Sequence, residues 1–259
     1  MEEIAREPSA LISVSVVSHG QMDLITGLMQ DIQRLCGGHR IELILTLNVI
    51  EPLTLPESNF FYSTTVIRNS SPKGFGANHN QAFKVAKGDF FCVINPDIRF
   101  QSNPFPALLT CFENTGIGVV APLVTGPAGE LEDSVRFFPT PLIILKKAMG
   151  QRKRLDYSLT HQTIEPDWVG GMFMLFPYSV FQQLNGFNEK YFLYYEDVDL
   201  CGRLQLAGFR VAVCTDSCVI HHAQRSSHRN LKYLRWHVSS MVRFFLSPVY
   251  RQLKMRMVP

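Results

Sequence analysis

Residues Gly88 to Phe100 read GDFFCVINPDIRF. Phe90, Phe91, Cys92, Val93 and Ile94 form an unbroken apolar run, the pattern of a short strand covered on both faces. Asn95-Pro96-Asp97 then stops it with a turn. An aspartate where such a strand surfaces stands at the carboxyl end of a sheet, the place where open α/β sheets bind ligands. A solvated turn competes with that reading, and Asn-Pro-Asp taken alone leaves both open.

Working outward, the elements alternate in the βαβ manner. Leu11–Val17 reads as a strand, Met22–Leu35 as a helix ended by Gly37-Gly38, Ile41–Leu47 as a second strand and Thr65–Arg68 as a short third. Gly74 to Lys87 is a turn leading into a helix, with Phe75, His79, Ala82, Phe83 and Ala86 on one face and Gly88 as its stop. To about Asp97 this is a parallel nucleotide-binding half-sheet. Beyond it, Ile117–Leu123 reads as a strand and Glu130–Phe138 as a hairpin or ordered loop. Gln151–Asp156 is a basic connection. Asp167–Phe176 reads as one strand, bent at Gly170-Gly171, with Pro177 starting a helix. Glu196–Ala207 is a helix with Leu200, Cys201, Leu204 and Ala207 as its buried stripe. Phe209–Cys214 and Cys218–His221 return as strands. No linker divides the chain. The expectation is one α/β domain over 11–247, made of a nucleotide-binding half (11–97) and a less regular second half (98–247), with tails at 1–10 and 248–259.

Composition bounds the function. The chain has 259 residues, 46% apolar and 18% charged, which suits a packed core and excludes a disordered chain. A net charge of +3 points to no nucleic acid, and the basic residues cluster only near Gln151–Arg154 and at the C-terminus. The six cysteines contain no CxxC pair, so they read as reduced thiols of a cytoplasmic protein. The acidic start MEEIAREPSA shows no secretory h-region, and no apolar run approaches the roughly 20 residues of a membrane span. No GxSxG elbow, HExxH helix or Walker lysine is present.

Three polar groups remain. Asp97 is the first. The second is Tyr194-Tyr195-Glu196-Asp197-Val198-Asp199, whose acids read equally as a helix cap and as a general base. Apolar surroundings there would raise a carboxylate's pKa and suit it to accept a proton. Asp199 can pair with Arg203 one turn on. The third is His221-His222, a pair at a strand end where a metal ligand or a structural histidine would both fit.

Taken in order, VSVVSHGQ, RNSSPKGFGANHNQAF, NPD, LVTGPAGELEDSVRFFPTP, DWVGGMFMLFPYSVFQQLNGFNEKYFLYYEDVDLCGRLQLAGFRV and VIHHAQRS resemble the inverting glycosyltransferases of family 2, with the GT-A fold. The resemblance runs from about Ser13 to Phe245. Within the family these segments look most like bacterial rhamnosyltransferases of O-antigen and cell-wall assembly. It implies a mixed, mostly parallel sheet flanked by helices, with a nucleotide-sugar-binding first half (11–97) and an acceptor/catalytic second half (98–247). Asp97 would hold Mg²⁺ or Mn²⁺ on the donor diphosphate, with His221 completing the metal shell. The first DxD position is Asn95 here. Asp197 would be the catalytic base, with Glu196 beside it. Ser18, His19, Asn48, Asn69, Gly74, Phe75, Asn78, Asn80, Trp168, Gly170 and Gly171 would line the donor site. Arg136 and Arg225 would touch diphosphate or acceptor.

Many relatives carry an aspartate at the end of the second strand to recognise the pyrimidine. Leu47-Asn48 stands there instead, so the resemblance favours dTDP-rhamnose while leaving a UDP-hexose or UDP-N-acetylhexosamine open. A non-catalytic nucleotide-sugar-binding protein is the alternative of another class. The implied acceptor is a glycan or a polyprenyl-diphosphate-linked saccharide. The basic, aromatic segment from Lys232 reads either as a terminal helix packed on the core or as a peripheral contact with the inner face of the bacterial membrane.

Overall fold

The computed structural model describes residues 10–53, 60–148, 157, 163–222 and 231–257. In chain order the elements of the first half are β1 (Leu11–Ser18), α1 (Met22–Leu35), β2 (Arg40–Leu47), β3 (Ser63–Arg68), α2 (Phe75–Phe83), β4 (Phe90–Ile94) and β5 (Ile98–Phe100). The middle holds α3 (Phe105–Cys111), β6 (Ile117–Thr125), β7 (Val135–Arg136), α4 (Pro141–Ala148), β8 (Thr163–Ile164), β9 (Trp168–Val169) and β10 (Phe173–Pro177). Then come α5 (Tyr178–Gln183), α6 (Glu196–Leu206), β11 (Arg210–His221), α7 (Leu231–Leu246) and α8 (Pro248–Met257).

The main sheet runs β3-β2-β1-β4-β10-β6-β11-β5, with β8 on β11, while β7 and β9 form a separate two-stranded ribbon. β1 to β4 are mutually parallel, β10 runs against β4 and β6, and β11 is parallel to β6. The sheet is therefore mixed and mostly parallel, as expected.

Alternation along the central strands explains the layering. Cys92 and Ile94 of β4, with Phe173 and Leu175 of β10, pack with Ile25, Leu28 and Ile32 of α1. Their neighbours Phe91, Val93, Met174 and Phe176 pack on the other face with Phe181, Leu200 and Leu204. This period of two buries both faces, so the strands read as continuous apolar runs. β1 adds buried polar ties: the Ser13 hydroxyl donates to Glu42 and accepts the Gly88 N–H, and Ser15 bonds His79 Nδ1 at 2.8 Å. Burial drives the His79 pKa down to about 3, so it stays neutral.

Four expectations are corrected. Asp167–Phe176 is two strands in two sheets: β9 pairs β7, and β10 is central. The break falls at Gly170-Gly171, where the Gly170 N–H bonds Ser134 O instead of a sheet neighbour. The strands expected at 209–214 and 218–221 are one, β11, with its register shifted between Cys214 and Cys218. Ala207 is exposed, because α6 ends at Leu206. Residues 248–257 are a helix, not a tail: Leu253 is buried against α6, and the Arg256 guanidinium donates to the carbonyls of Gln205 and Leu206. Cations at a helix C-terminus are favourably placed.

Among the described residues no helix is long and apolar enough to cross a membrane.

Candidate active site

β4 delivers Asn95-Pro96-Asp97 to the carboxyl edge of the sheet. Asp97 is largely buried, and its Oδ1 has no hydrogen-bond partner. Its Oδ2 lies 3.3 Å from His221 Nε2. That neighbour comes from the far end of the chain through the β5–β11 ladder, which pairs His221 with Ile98, and the Asp97 carbonyl accepts the His222 N–H. On its other side His221 Nδ1 meets Glu132 Oε2 at 3.1 Å. Burial opposes charge on this imidazole, but Asp97 and Glu132 outweigh it and raise the pKa.

Among the described residues no three His, Cys, Asp or Glu side chains gather as a ready metal cage. An orphaned carboxylate oxygen beside one imidazole nonetheless fits a hard cation that takes most of its ligands from substrate phosphates.

The second acidic group opens α6. Tyr194 and Tyr195 both take the left-handed conformation, at φ 69° and 66°. Two consecutive side-chain-bearing residues there are strained, a feature concentrated at functional sites. Tyr195 gives no side-chain cap, so the Asp197 carboxylate accepts the N–H groups of Val198 at 2.8 Å and Gly171 at 3.0 Å. Glu196 is buried and its Oε2 is unpartnered. Burial, then the neighbouring Asp197, pushes the Glu196 pKa well up. Burial also raises Asp197, against the pull of its backbone N–H donors. Both carboxyls are thus pushed up by burial, Glu196 the further, while Asp197 is the one held by the Gly171 and Val198 N–H groups. Asp199 is different: fully buried, it is held by Arg203 at 2.8 Å, whose guanidinium also donates to Leu184 O and Gly186 O.

Two hydrogen bonds tie the acidic segments together. Asn95 N donates to Met172 O, and one residue earlier Gly171 N donates to Asp197. A Cβ on Gly171 would lie 3.1 Å from the Phe75 ring. Gly74 is as constrained, since a Cβ there would fall 2.7 Å from Phe192 O, the same carbonyl that accepts the Phe75 N–H. The glycine turn, the 170–171 break and the start of α6 thus meet at one crevice.

A family model described as glycosyltransferase like family 2 matches residues 60–239, which span both acidic groups. The chain belongs to this family. The rhamnosyltransferase WbbL of Escherichia coli (strain K12) is 29% identical over 247 residues, covering 90% of this chain and 92% of its own. The N-acetylglucosaminyl-diphospho-decaprenol L-rhamnosyltransferase of Mycobacterium tuberculosis (strain CDC 1551 / Oshkosh) is 29% identical over 67% of this chain and 59% of its own. The solved structure of GalNAc-T7 with UDP, GalNAc and Mn²⁺ matches with a TM-score of 0.64 at 14% identity, over 84% of this chain and 44% of that one. The chain thus spans less than half of that structure, and the likeness shows the fold. The glycosyltransferase has the GT-A arrangement, a mixed sheet flanked by helices.

The remaining expected donor residues of this glycosyltransferase divide by what their polar atoms already hold. Asn48 accepts from Lys73 N and donates to Lys73 O. Asn78 donates to Gly74 O, and Asn69 donates to both Asn48 and Asn78. These amides clamp the loop before α2, and only Asn69 Oδ1 is left without a partner. Asn80 exchanges two hydrogen bonds with the Phe187 backbone, so its amide holds the segment leading to α6. Ser18 is buried, with its hydroxyl accepting Gln21 N; His19 is exposed beside Asn48, and Asn95 is half-buried. The Trp168 indole donates to Phe137 O, and Arg136 pairs with Asp133. Arg225 lies outside the described residues.

Glu132 was missed as an individual residue. Its segment GELED carried no sign of the bridge between Thr125 and Leu131 that sets it against His221.

Proposed function

We propose that the protein is an inverting transferase that moves rhamnose from dTDP-rhamnose to a hydroxyl of a lipid-linked saccharide in bacterial surface polysaccharide synthesis. Asp197 is the base. It accepts the acceptor's hydroxyl proton as that oxygen bonds to the anomeric carbon, while the bond from that carbon to the diphosphate breaks on the opposite face. Charge at the sugar is then oxocarbenium-like, and one displacement inverts the centre. Glu196, protonated and adjacent, adds no competing negative charge.

Asp97 and His221 would hold Mg²⁺ or Mn²⁺, which supplies charge neutralisation to the departing diphosphate. Glu132 orients the His221 ring from its other nitrogen. Gly74, Phe75, Gly170 and Gly171 shape the donor crevice by close backbone approach. Asn48, Asn69 and Asn78 set the loop beside it, while Asn80 positions the Phe187 segment. Trp168 and Arg136, on the β7–β9 ribbon, are assigned to the acceptor side.

What supports this reading is an orphaned Asp97 oxygen together with the strained, acid-bearing start of α6, two segments tied by the Asn95 N–Met172 O and Gly171 N–Asp197 hydrogen bonds. The names of the two relatives above support rhamnose, and the second supports a polyprenyl-diphosphate acceptor. Because the Asn48 amide holds Lys73, the base is discriminated elsewhere, and a UDP-hexose or UDP-N-acetylhexosamine stands as the second donor reading.

A thermal-shift panel of dTDP, UDP and GDP with and without Mn²⁺ tests donor and metal together. The expected result is a shift largest for dTDP and dependent on the cation. Donor hydrolysis by wild type and Asp197→Asn tests the role of the base. Background rates in both would leave a nucleotide-sugar-binding protein without turnover, and equal rates above background would move the base elsewhere.

A further inference from the structure

α7 is amphipathic in the wrong sense for a helix that merely closes a core. Its inner side is satisfied: Phe244 and Ser240 are buried, the Ser240 hydroxyl donates to Leu193 O at 2.8 Å, and Trp236 stacks on Phe192 with ring centroids 4.6 Å apart. Its outer side is apolar as well. Leu231, Leu234, Val238, Val242 and Leu246 are 82%, 58%, 44%, 48% and 71% exposed. Spaced by three, four, four and four, they lie on one stripe along the whole helix. Singly exposed leucines need no explanation, but a continuous stripe does.

Charge selects what covers it. Residues 231–257 carry six Lys and Arg and no Asp or Glu. Lys232, Arg235 and Arg243 are exposed on α7, and Arg251, Lys254 and Arg256 on α8. A second copy docking through the same face would bring two sets of like charges together. An anionic lipid surface complements both the stripe and its basic border.

We propose that the outward face of α7 docks on anionic phospholipid and holds the mouth of the crevice at the membrane. Within the basic segment from Lys232, the structure thereby narrows the membrane contact to α7, since α8 is packed on α6. The inner side of α7 grips Phe192 and Leu193, just before Glu196 and Asp197, and Phe192 O also accepts the Phe75 N–H. A helix lying in the interface would therefore set the crevice at a fixed height above the lipid headgroups, where a lipid-linked saccharide is presented. The purpose of the docking rests on the proposed function; its test does not.

The test is co-flotation of the full chain with vesicles of phosphatidylcholine alone and of equimolar phosphatidylcholine and phosphatidylglycerol. Wild type should float with the mixed vesicles only, and less so in high salt. Leu234→Glu/Val242→Glu should weaken partitioning at least about tenfold while keeping its melting temperature and its thermal shift with dTDP and Mn²⁺. The proposal is overturned if wild type fails to float, the double variant floats equally, or sedimentation shows a dimer that the same variant dissolves. Capture by an acidic protein with no vesicle binding would assign the face to protein instead, and also overturns it. If wild type floats but no nucleoside diphosphate shifts its melting, the donor reading fails and the docking stands.

Discussion

Buried carboxylates occur in two kinds of place in this molecule. Behind the sheet, Asp31 of α1 takes two bonds from Arg99 and one from the Phe100 N–H. Within α6, Asp199 is closed off by Arg203. At the crevice, Asp97 and Glu196 each keep an oxygen with no partner, and Asp197 is held by backbone N–H groups alone. Arginine-paired acids hold elements together. Acids that keep an unpartnered oxygen, or that are held by backbone donors alone, are instead available for a metal or a proton.

The sharpest break in that comparison is at Asp197. Asp197→Asn keeps the shape and the Gly171 contact but cannot take a proton, so turnover should fall by about 10²- to 10⁴-fold with donor affinity little changed. Steady-state rates set against the dTDP thermal shift would show it; a loss of binding with unchanged turnover would move the base elsewhere.

The opposite outcome is expected two residues along. Asp199→Asn leaves Arg203 without its buried counter-charge and should cost about 3–5 kcal/mol of stability, read from urea midpoints. If that variant is as stable as wild type, the division between the two kinds of acid fails.

Glu196→Gln sharpens the comparison through pH. The raised pKa means the native state holds a proton that the unfolded chain releases. Wild-type stability then falls as pH rises from the unfolded pKa towards the folded one, by at most about 1.4 kcal/mol per pH unit. Glutamine has no such proton, so the variant should show a flatter profile and gain on wild type towards alkaline pH.

The smallest effect belongs to Asp31, with the sign reversed. Burial alone would raise its pKa, but Arg99, the Phe100 N–H and Arg34 hold it below the usual carboxylate value. Its contribution is present above the unfolded pKa and is lost as pH falls through the folded one. Arg99 is 41% exposed, so Asp31→Asn should remove only on the order of 1 kcal/mol of this acid-side dependence. Urea melts at mild and at acid pH would measure it.

Much of the fold was readable because hydrophobic periodicity is local. β1, α1, β2 and β4 were visible as runs and stripes within a few residues of their observed ends. Gly170-Gly171 was legible as an interruption but not as a change of sheet, because only the hydrogen-bonding partners on either side reveal that. α8 was misread because its composition is that of an exposed tail, and its fit depends on Gly202, where a Cβ would lie 2.8 Å from Val249.

The sequence by itself determined that an aspartate follows a buried strand, that three acids open a helix and that two histidines end another strand. Order along the chain and side-chain chemistry suffice for that. Only the tertiary structure decided that His221 stands between Asp97 and Glu132, that Asn48 and Asn80 serve backbone and not solvent, and that α7 turns leucines outward. Those outcomes depend on strand register and on which backbone groups folding leaves unpaired, and neither is encoded in any local stretch.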